Sequence, residues 1–256
     1  MKLCRFDYRG KTSMGSWEGE RVRICRGDLL GKYELSAATL GVDEIRLRAP
    51  LVPGKIIGIG RNYAEHAREL GNVPPEAEPL IFLKPPSSIV SPGEPILLPR
   101  SSQRVDHEGE LGVVIGKTAC DLGEDDDPLR YVLGYSCVND VTARDLQKKD
   151  VQFTRGKGFD TFCPFGPWIE TELNPAGLRV ETRVNGELRQ KGNTADMIFP
   201  VARLIRFLSS IMTLYPGDLI ATGTPAGVGP LADGDTVEVE VEGIGILRNP
   251  VKPRHS

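Results

Sequence analysis

The sequence predicts an α+β protein in which β-strands predominate. Glycine and proline, with 29 and 20 residues in a chain of 256, make turns frequent and long helices rare. Short stretches of alternating apolar and polar residues recur along the chain. Val237 to Glu242 alternates without a break, as a half-buried strand does. Only Ile198 to Leu208 has the apolar spacing of a longer helix, which we expect to serve packing. These features together favour a β-rich fold.

The composition, with 39% hydrophobic and 26% charged residues, is typical of a soluble globular protein. The formal net charge is −3 and the basic residues form no stripe, which argues against nucleic acid as a partner. No apolar run approaches the length of a membrane span, and the first residues lack the apolar segment of a signal peptide. The five cysteines form no Cys-x-x-Cys pair, which favours reduced thiols and a cytoplasmic location.

The first 52 residues carry no concentrated chemistry. The segment Pro50 to Gly54 interrupts the chain with two prolines and a glycine, and it indicates a boundary. We therefore predict a small N-terminal β domain, residues 1–52, and a larger domain, residues 53–256, that carries the candidate functional residues. The strands expected in the small domain are Lys2 to Tyr8, Gly19 to Cys25 and Ile45 to Leu47.

A helix is predicted directly after the buried strand Lys55 to Gly60. Asn62 can cap its first turn, with Glu65 three residues later, and Gly71 can end it. The junction carries two glycines of the dinucleotide-binding fingerprint but not the third, so we reject a dinucleotide cofactor.

His66 and Glu69 on this helix are candidates for acid–base chemistry. Their i,i+3 spacing puts both side chains on one face. A histidine beside a carboxylate gains basicity and a fixed tautomer, as a general base requires. The alternative is an ordinary surface pair on a short helix, and the spacing alone favours that alternative.

Three acidic residues on two predicted strands form a candidate metal site. Side chains alternate along a strand, so Glu108 and Glu110 in the segment Asp106 to Gly116 project from the same face. Neighbouring carboxylates repel each other unless a cation or a proton lies between them. Asp140, at the end of the apolar run from Tyr135, offers a third acid. This oxygen-only set suits Mg²⁺ or Mn²⁺ better than Zn²⁺. The alternative is the solvated face of an edge strand.

Further polar residues could contact a small acidic substrate. Lys84 ends an apolar strand and could meet a substrate carboxylate, although such a lysine is usually solvated. Arg144 and Gln147 have i,i+3 spacing and can point into one site together. Lys157 is flanked by glycines, which suggests close approach of the backbone to a ligand, with a solvated loop as the alternative. Thr224 lies in a glycine-rich loop whose N–H groups and hydroxyl could hold a carboxylate, unless the loop is simply a tight turn.

The later part of the chain again alternates strands and turns. Cys163 to Ile169 is expected to be a strand, and Arg179 to Gln190 a hairpin around Asn185-Gly186. No Gly-x-Ser-x-Gly sequence is present, which argues against a serine nucleophile.

Six segments in this order make the sequence resemble the fumarylacetoacetate hydrolase family. They span residues 55 to about 247, and although each is a weak signal alone, the six in order are highly specific. The segments are Gly-Ile-Gly-Arg-Asn-Tyr-Ala-Glu-His, Phe-Leu-Lys-Pro, Glu-Gly-Glu-Leu-Gly-Val-Val-Ile-Gly, Asn-Asp-Val-Thr-Ala-Arg-Asp-Leu-Gln, Val-Asn-Gly-Glu, and Pro-Gly-Asp followed by Thr-Gly-Thr-Pro-Ala-Gly-Val-Gly.

The resemblance implies a mixed β-sandwich roll, usually a homodimer, with residues 53–256 as the catalytic domain. It implies Mg²⁺ or Mn²⁺ held by Glu108, Glu110 and Asp140. The segment before Pro50 resembles that of bacterial members named as 2-hydroxyhepta-2,4-diene-1,7-dioate isomerases. The long eukaryotic hydrolases take a fourth carboxylate from an earlier segment that we do not find here, which argues against fumarylacetoacetate itself as the substrate.

The resemblance also implies roles for residues outside the metal site. Arg144, Gln147, Lys157 and Thr224 match positions that bind substrate. In the shorter members of the family a His-x-x-Glu pair, here His66 and Glu69, supplies acid–base chemistry from a segment that orders as a lid.

We hypothesise that the metal chelates a 2-oxo acid or its enol and stabilises the enolate formed when a C–C bond breaks or a proton moves. His66, aligned by Glu69, would activate water or move the proton, while Lys157 and Thr224 orient the substrate carboxylate. This favours an isomerase of the 2-hydroxyhepta-2,4-diene-1,7-dioate type. An oxaloacetate decarboxylase or an acylpyruvate hydrolase is the alternative, because the same enolate serves each. The alternative of another class is a non-catalytic protein that binds a carboxylate, which would need neither the acids nor the His–Glu pair.

Overall fold

The computed structural model of the protein describes residues 1–254, in which strands form most of the regular structure. This confirms the predicted β-rich α+β class. The strands are β1 (Lys2–Tyr8), β2 (Lys11–Glu18), β3 (Arg21–Gly27), β4 (Tyr33–Gly41), β5 (Arg46–Arg48), β6 (Ile56–Gly60), β7 (Leu80–Lys84), β8 (Ile89–Val90), β9 (Ile96–Leu98), β10 (Val105–His107), β11 (Gly109–Ile115), β12 (Val132–Asn139), β13 (Thr142–Ala143), β14 (Cys163–Glu170), β15 (Arg179–Val184), β16 (Glu187–Asn193), β17 (Leu219–Ala221), β18 (Gly229–Pro230), β19 (Thr236–Val241) and β20 (Gly245–Pro253). The helices are α1 (Ala64–Glu69), α2 (Arg144–Lys149), α3 (Thr154–Lys157) and α4 (Val201–Ile211).

The strands pair into one large sheet and two smaller ones. The large sheet has the order β4-β3-β2-β1-β14-β12-β11-β17-β6-β7, with β5 paired to β1 and β8 to β14. A second sheet has the order β16-β15-β19-β20-β9, and β13-β10-β18 form a third. The large sheet is mixed, because most of its pairs are antiparallel whereas β17 pairs with β6 in parallel.

Strand β11 is buried along its whole length because both faces of the large sheet are covered there. On one face Leu111 and Val113 join a core with Val239 of the second sheet and Leu204 of α4. On the other face Val114 belongs to a separate core, which lies towards the N-terminal strands. Since dense packing on two sides leaves little freedom, β11 is a rigid support for the acidic residues at its start.

The N-terminal strands extend the large sheet. Strand β1 pairs with β14 through Lys2 opposite Glu170 and Leu3 opposite Ile169. The α-ammonium of Met1 donates to the Glu170 carboxylate at 2.5 Å. The sheet is therefore continuous across the boundary proposed near residue 52, and the division into two domains stays a prediction.

Helix α1 is shorter than predicted, and Asn62 does not cap it. Tyr63 occupies the N-cap position without a side-chain hydrogen bond. The buried Asn62 amide instead donates to the carbonyls of Phe199 at 3.1 Å and Thr222 at 2.7 Å, and accepts from the Phe199 N–H at 2.8 Å. The side chain thereby joins three segments of the chain, which a local capping pattern does not reveal. Gly71, with φ +71°, follows the end of the helix as predicted.

The predicted hairpin at Asn185-Gly186 and the predicted longer helix are both present in the structure. Asn185 and Gly186 have φ values of +54° and +81° and connect the paired strands β15 and β16. Helix α4 begins at Val201 and not at Ile198, since Pro200 disfavours helical backbone in the residue before it but suits the start of a helix. Within residues 1–254 no helix is both long and apolar enough to span a membrane.

Candidate active site

Glu108, Glu110 and Asp140 lie together. Glu108 stands between β10 and β11, Glu110 is on β11, and Asp140 directly follows β12. Pairing of β11 with β12 sets Gly109 opposite Asn139, and the Asp140 N–H donates to the Glu108 carbonyl at 2.8 Å. One oxygen from each carboxylate lies within 4.8 Å of the other two, and no more than 3% of any of these residues is exposed. The three acids thus form a buried cluster of oxygen donors.

The glycine between the two glutamates is required by packing. A Cβ at Gly109 would lie 2.0 Å from Oγ1 of Thr182 on β15, so the second sheet packs directly against this backbone. The Glu108 N–H is fixed as well, because it donates to Oδ1 of Asn139 at 2.9 Å. The backbone of the acidic cluster is therefore held from two sides.

Buried cations neutralise two of the three acids. The Lys157 ammonium donates to Glu108 at 2.7 Å and to Asp140 at 2.5 Å, and the Arg144 guanidinium also donates to Glu108. Arg144 donates in addition to Asp106 at 2.9 Å. Buried charges are tolerated only when they are paired in this way.

Lys84 lies deeper than its place at a strand end suggests. It is 2% exposed, and its ammonium donates to Oδ1 of Asp140 at 2.6 Å and to the Val141 carbonyl at 3.4 Å. It does not line the cavity described below. Its contacts therefore match a role in fixing Asp140 and do not match the predicted contact with a substrate carboxylate.

Glu110 differs electrostatically from Glu108. Burial raises the pKa of Glu110 well above its ordinary value, and the charges of Asp140 and Glu108 raise it further. Burial alone would also raise the pKa of Glu108, but Arg144 and Lys157 hold it well below its ordinary value. Glu110 has the Gly223 N–H as a hydrogen-bond donor, at 2.8 Å, and no ion pair within residues 1–254. A cation bound beside Glu110 would provide the positively charged partner that this carboxylate lacks.

His66 stands beside the acidic cluster. Its Nε2 is 4.0 Å from Oε1 of Glu108, and its Nδ1 is 3.6 Å from Oε2 of Glu69, too far for a hydrogen bond. Nδ1 is buried without a partner among residues 1–254. Burial lowers the pKa of His66, and Arg144 and Lys157 lower it further, against the opposite effect of Glu108. Burial thus favours the neutral form of the imidazole, whose Nδ1 faces Glu69 and whose Nε2 faces Glu108.

Glu69 connects α1 to the glycine-rich loop that follows β17. Both of its carboxylate oxygens lie 3.1 Å from the Gly227 N–H, which donates to them. The predicted His66–Glu69 pair is thus brought together, with Glu69 shared between the histidine and the loop.

A cavity of about 200 Å³ lies in front of the cluster. Seven of the ten candidate residues line it, whereas Lys84, Glu69 and Asp140 do not. The lining residues are Ile59, Gly60, Arg61, His66, Leu70, Asn72, Phe82, Glu108, Glu110, Arg144, Gln147, Lys148, Phe153, Lys157 and Thr224.

Gln190 is a functional candidate that the sequence does not reveal. It is fully buried on β16, and its amide oxygen accepts from the Gly109 N–H at 3.0 Å. Its Nε2 donates to Oγ1 of Thr224 at 2.7 Å and to the Pro225 carbonyl at 2.8 Å. Gln190 therefore ties the Glu-x-Glu backbone to the loop that carries Thr224. No local pattern signals this, because the contacts join segments more than 30 residues apart.

The hydroxyl of Thr224 has no proton left for a ligand. It donates to the Gly109 carbonyl at 2.8 Å while it accepts from Gln190. A hydroxyl has one proton and two acceptor positions, so the remaining capacity of Thr224 is that of an acceptor. This disagrees with the predicted use of the hydroxyl to hold a carboxylate, which requires a donor.

The strand-rich α+β fold places a buried, oxygen-only acidic cluster, which could hold a metal ion, beside a histidine. The family model described as fumarylacetoacetate (FAA) hydrolase C-terminal matches residues 55–252, and one described as Rv2993c-like, N-terminal, matches residues 1–50. The chain belongs to the fumarylacetoacetate hydrolase family.

Three relatives illustrate the range of this similarity. One is 2-hydroxyhepta-2,4-diene-1,7-dioate isomerase from Mycobacterium marinum, whose sequence is 42% identical to this chain. Its crystal structure superposes with a TM-score of 0.92, and the match covers 100% of both chains. Oxaloacetate tautomerase YisK of Bacillus subtilis is 44% identical over 85% of this chain and 77% of its own length. Maleylpyruvate hydrolase from Sphingobium sp. SYK-6, in complex with manganese (II) and pyruvate, is 32% identical with a TM-score of 0.83 over 100% of both chains.

Proposed function

We propose that this protein is a divalent-metal-dependent enzyme that acts on a 2-oxo acid or a 2-hydroxydienoate. The observation that carries the proposal is the buried set of Glu108, Glu110 and Asp140 next to the unpartnered imidazole of His66. Isomerisation of the 2-hydroxyhepta-2,4-diene-1,7-dioate type is the first candidate for the reaction, and tautomerisation or decarboxylation of oxaloacetate and C–C hydrolysis of an acylpyruvate are the alternatives.

The donor set fits Mg²⁺ or Mn²⁺. Its atoms are hard carboxylate oxygens, they are buried, and one of them, Glu110, has no ion pair among residues 1–254. When bound, the cation supplies Lewis-acid polarisation of the carbonyl group of a 2-oxo acid. The manganese and pyruvate in the Sphingobium relative support both the cation and the class of ligand.

His66 is proposed as the group that moves the proton. A histidine acts as a general base only in its neutral form, and burial favours that form here. Glu69 is 3.6 Å from Nδ1, so a small rotation of either side chain would bring the two into hydrogen-bond distance and fix the tautomer. The proton is taken from or returned to a carbon next to the polarised carbonyl, a step that isomerisation and tautomerisation share.

The other lining residues are proposed to orient the substrate. Asp140 and Glu108 raise the pKa of Lys157 against the effect of burial, so Lys157 remains a cation and serves as an electrostatic partner for developing negative charge. Gln147 accepts from Arg144 through its amide oxygen at 3.1 Å, which leaves its Nε2 free to donate to a substrate carboxylate. Thr224 would accept a hydrogen bond from an enol hydroxyl or a water molecule.

Melting curves test the proposal without knowledge of the substrate. We expect Mn²⁺ to raise the melting temperature of EDTA-treated protein, and oxalate to raise it again only when Mn²⁺ is present. Oxalate imitates the chelating end of a 2-oxo acid enolate. At ~100 times its dissociation constant it would add about 2.7 kcal/mol of stability, roughly 5–10 °C for a chain of this size. Parallel assays with oxaloacetate, acylpyruvates and the dienoate would then identify the reaction. The absence of both shifts would favour a non-catalytic, carboxylate-binding protein.

Replacing His66 with alanine should separate catalysis from metal binding. We expect turnover to fall by ~10²–10⁴-fold, the usual contribution of a general base, with the Mn²⁺ dissociation constant changed by less than about threefold. Glu65→Gln on the exposed side of α1 is the matched control and should leave both quantities unchanged. Loss of Mn²⁺ affinity in the alanine variant would instead make His66 a metal ligand.

A homodimer and a cytoplasmic location remain part of the proposal.

A further inference from the structure

Asp106 is a buried carboxylate between two arginines, two residues before the acidic cluster begins. The Arg104 guanidinium donates to both of its oxygens, at 2.9 and 3.1 Å. Nε of Arg144 donates to it at 2.9 Å, and the same guanidinium donates in turn to Glu108. Asp106 does not line the cavity, and within residues 1–254 its carboxylate is hydrogen-bonded to the candidate site only through Arg144.

The backbone fixes Asp106 and Arg144 relative to each other. Strands β10 and β13 pair with Asp106 opposite Thr142, and the Arg144 N–H donates to the Arg104 carbonyl at 2.8 Å. Asp106 is 0% exposed and Arg144 is 4% exposed. The carboxylate and the guanidinium therefore meet where little water reaches them, and a charge-assisted hydrogen bond is strong in such a place.

The Arg144 guanidinium has two N–H groups that no side chain within residues 1–254 accepts. It has five in all, and each of its nitrogens donates one: Nε to Asp106, Nη2 to Glu108 and Nη1 to Gln147. The two that remain belong to Nη1 and Nη2, and Arg144 lines the cavity. Because a guanidinium is planar, acceptors at Nε and at the Nη atoms together fix its plane. Loss of Asp106 would leave the group held only at its Nη atoms.

We propose that Asp106 is a positioning residue, which holds the Arg144 guanidinium in the orientation that meets an anionic ligand in the cavity. The inference rests on the proposed function, in which that ligand is a 2-oxo acid. A cation that is already ordered binds an anion more tightly than one that must be ordered on binding, because the cost of ordering is met during folding. Arg104 has a different role. Its side chain is 52% exposed, and it neutralises Asp106 from the solvent side.

Binding of oxalate to protein saturated with Mn²⁺, measured by titration calorimetry, tests this role. We expect the dissociation constant of oxalate to rise ~10-fold in Asp106→Asn and ~10–100-fold in Arg144→Met, as for loss of hydrogen bonds to a charged group. Because Asp106 acts through Arg144, the double variant should bind oxalate within about twofold of Arg144→Met alone. A further ~10-fold loss in the double variant would overturn the inference, since Asp106 would then act without Arg144.

Two further variants separate positioning from a loss of folded stability, which melting curves report. Arg104→Met removes the outer partner of Asp106, so it should lower the melting temperature and leave the oxalate dissociation constant within about twofold. Asp125→Asn, exposed in the loop between β11 and β12, is the control for removal of one negative charge and should change neither quantity.

The outcomes distinguish this inference from the proposed function. If the unaltered protein binds oxalate with Mn²⁺ and Asp106→Asn binds it equally well, Asp106 has no positioning role and the proposed function stands. An equal weakening in Arg104→Met and Asp106→Asn would also overturn the inference, because it would show a general loosening of the fold. Failure of the unaltered protein to bind Mn²⁺ or oxalate would overturn the proposed function and this inference together.

Discussion

Replacing Glu108 with glutamine should abolish tight metal binding and metal-dependent turnover. The substitution keeps the shape of the side chain and removes its charge, and it puts an amide N–H₂ where Arg144 and Lys157 now donate to carboxylate oxygens. Substitutions that only support a metal ligand already cost about 10–100-fold in affinity. For a ligand itself we expect the Mn²⁺ dissociation constant to rise at least ~100-fold, with turnover at saturating substrate falling by ~10³-fold or more.

Mn²⁺ affinity is best measured by calorimetry, with a melting curve of each variant to show that it is folded. Some loss of stability is expected, because Arg144 keeps Asp106 as a partner and Lys157 keeps Asp140, whereas both lose Glu108. Glu20→Gln, at an exposed carboxylate in the turn between β2 and β3, is the control for removal of one negative charge. If Glu108→Gln bound Mn²⁺ as the unaltered protein does, Glu108 would not be a ligand.

The Glu108–Glu110 part of the acidic cluster could be predicted from the sequence because the spacing of these two residues is local. The Glu-x-Glu spacing puts two carboxylates on one face of a strand, and the apolar run before Asp140 indicates a neighbouring strand. The same holds for the hairpin at Asn185-Gly186 and for α4, where turn chemistry and periodicity decide the structure. Each of these rests on a pattern within about ten residues.

What the sequence could not provide depends on contacts between distant segments. Asn62 has the sequence signature of a helix cap, but its side chain satisfies backbone groups of Phe199 and Thr222. In the sequence Gln190 is an ordinary hairpin residue, and only the packing of β16 brings its amide to the Glu-x-Glu backbone. Lys84 is buried because its ammonium donates to Asp140, a residue that is distant in the sequence. In each case a buried polar group needs a partner, and only the tertiary structure identifies it.

Loss of Lys157 should destabilise the metal-free protein more than the metal-bound protein. Its ammonium lies between Glu108 and Asp140, and without it these buried carboxylates lose a shared positive charge. Breaking a buried ion pair usually costs about 3–5 kcal/mol, so we expect Lys157→Met to lower the unfolding free energy of EDTA-treated protein by about that amount. Turnover should also fall, because Lys157 is a proposed electrostatic partner of the substrate.

The comparison that isolates this effect is the rise in melting temperature on addition of Mn²⁺. A divalent cation held by the same carboxylates replaces the missing charge, so the rise should be larger in Lys157→Met than in the unaltered protein. Lys84→Met should behave similarly in stability, since Lys84 also binds Asp140, but its effect on substrate affinity should be smaller because it lies outside the cavity lining. Lys149→Met, exposed on α2, should change neither quantity. Equal rises in Lys157→Met and the unaltered protein would mean that the ammonium and the metal do not share these carboxylates, and the cation would then have to be held elsewhere.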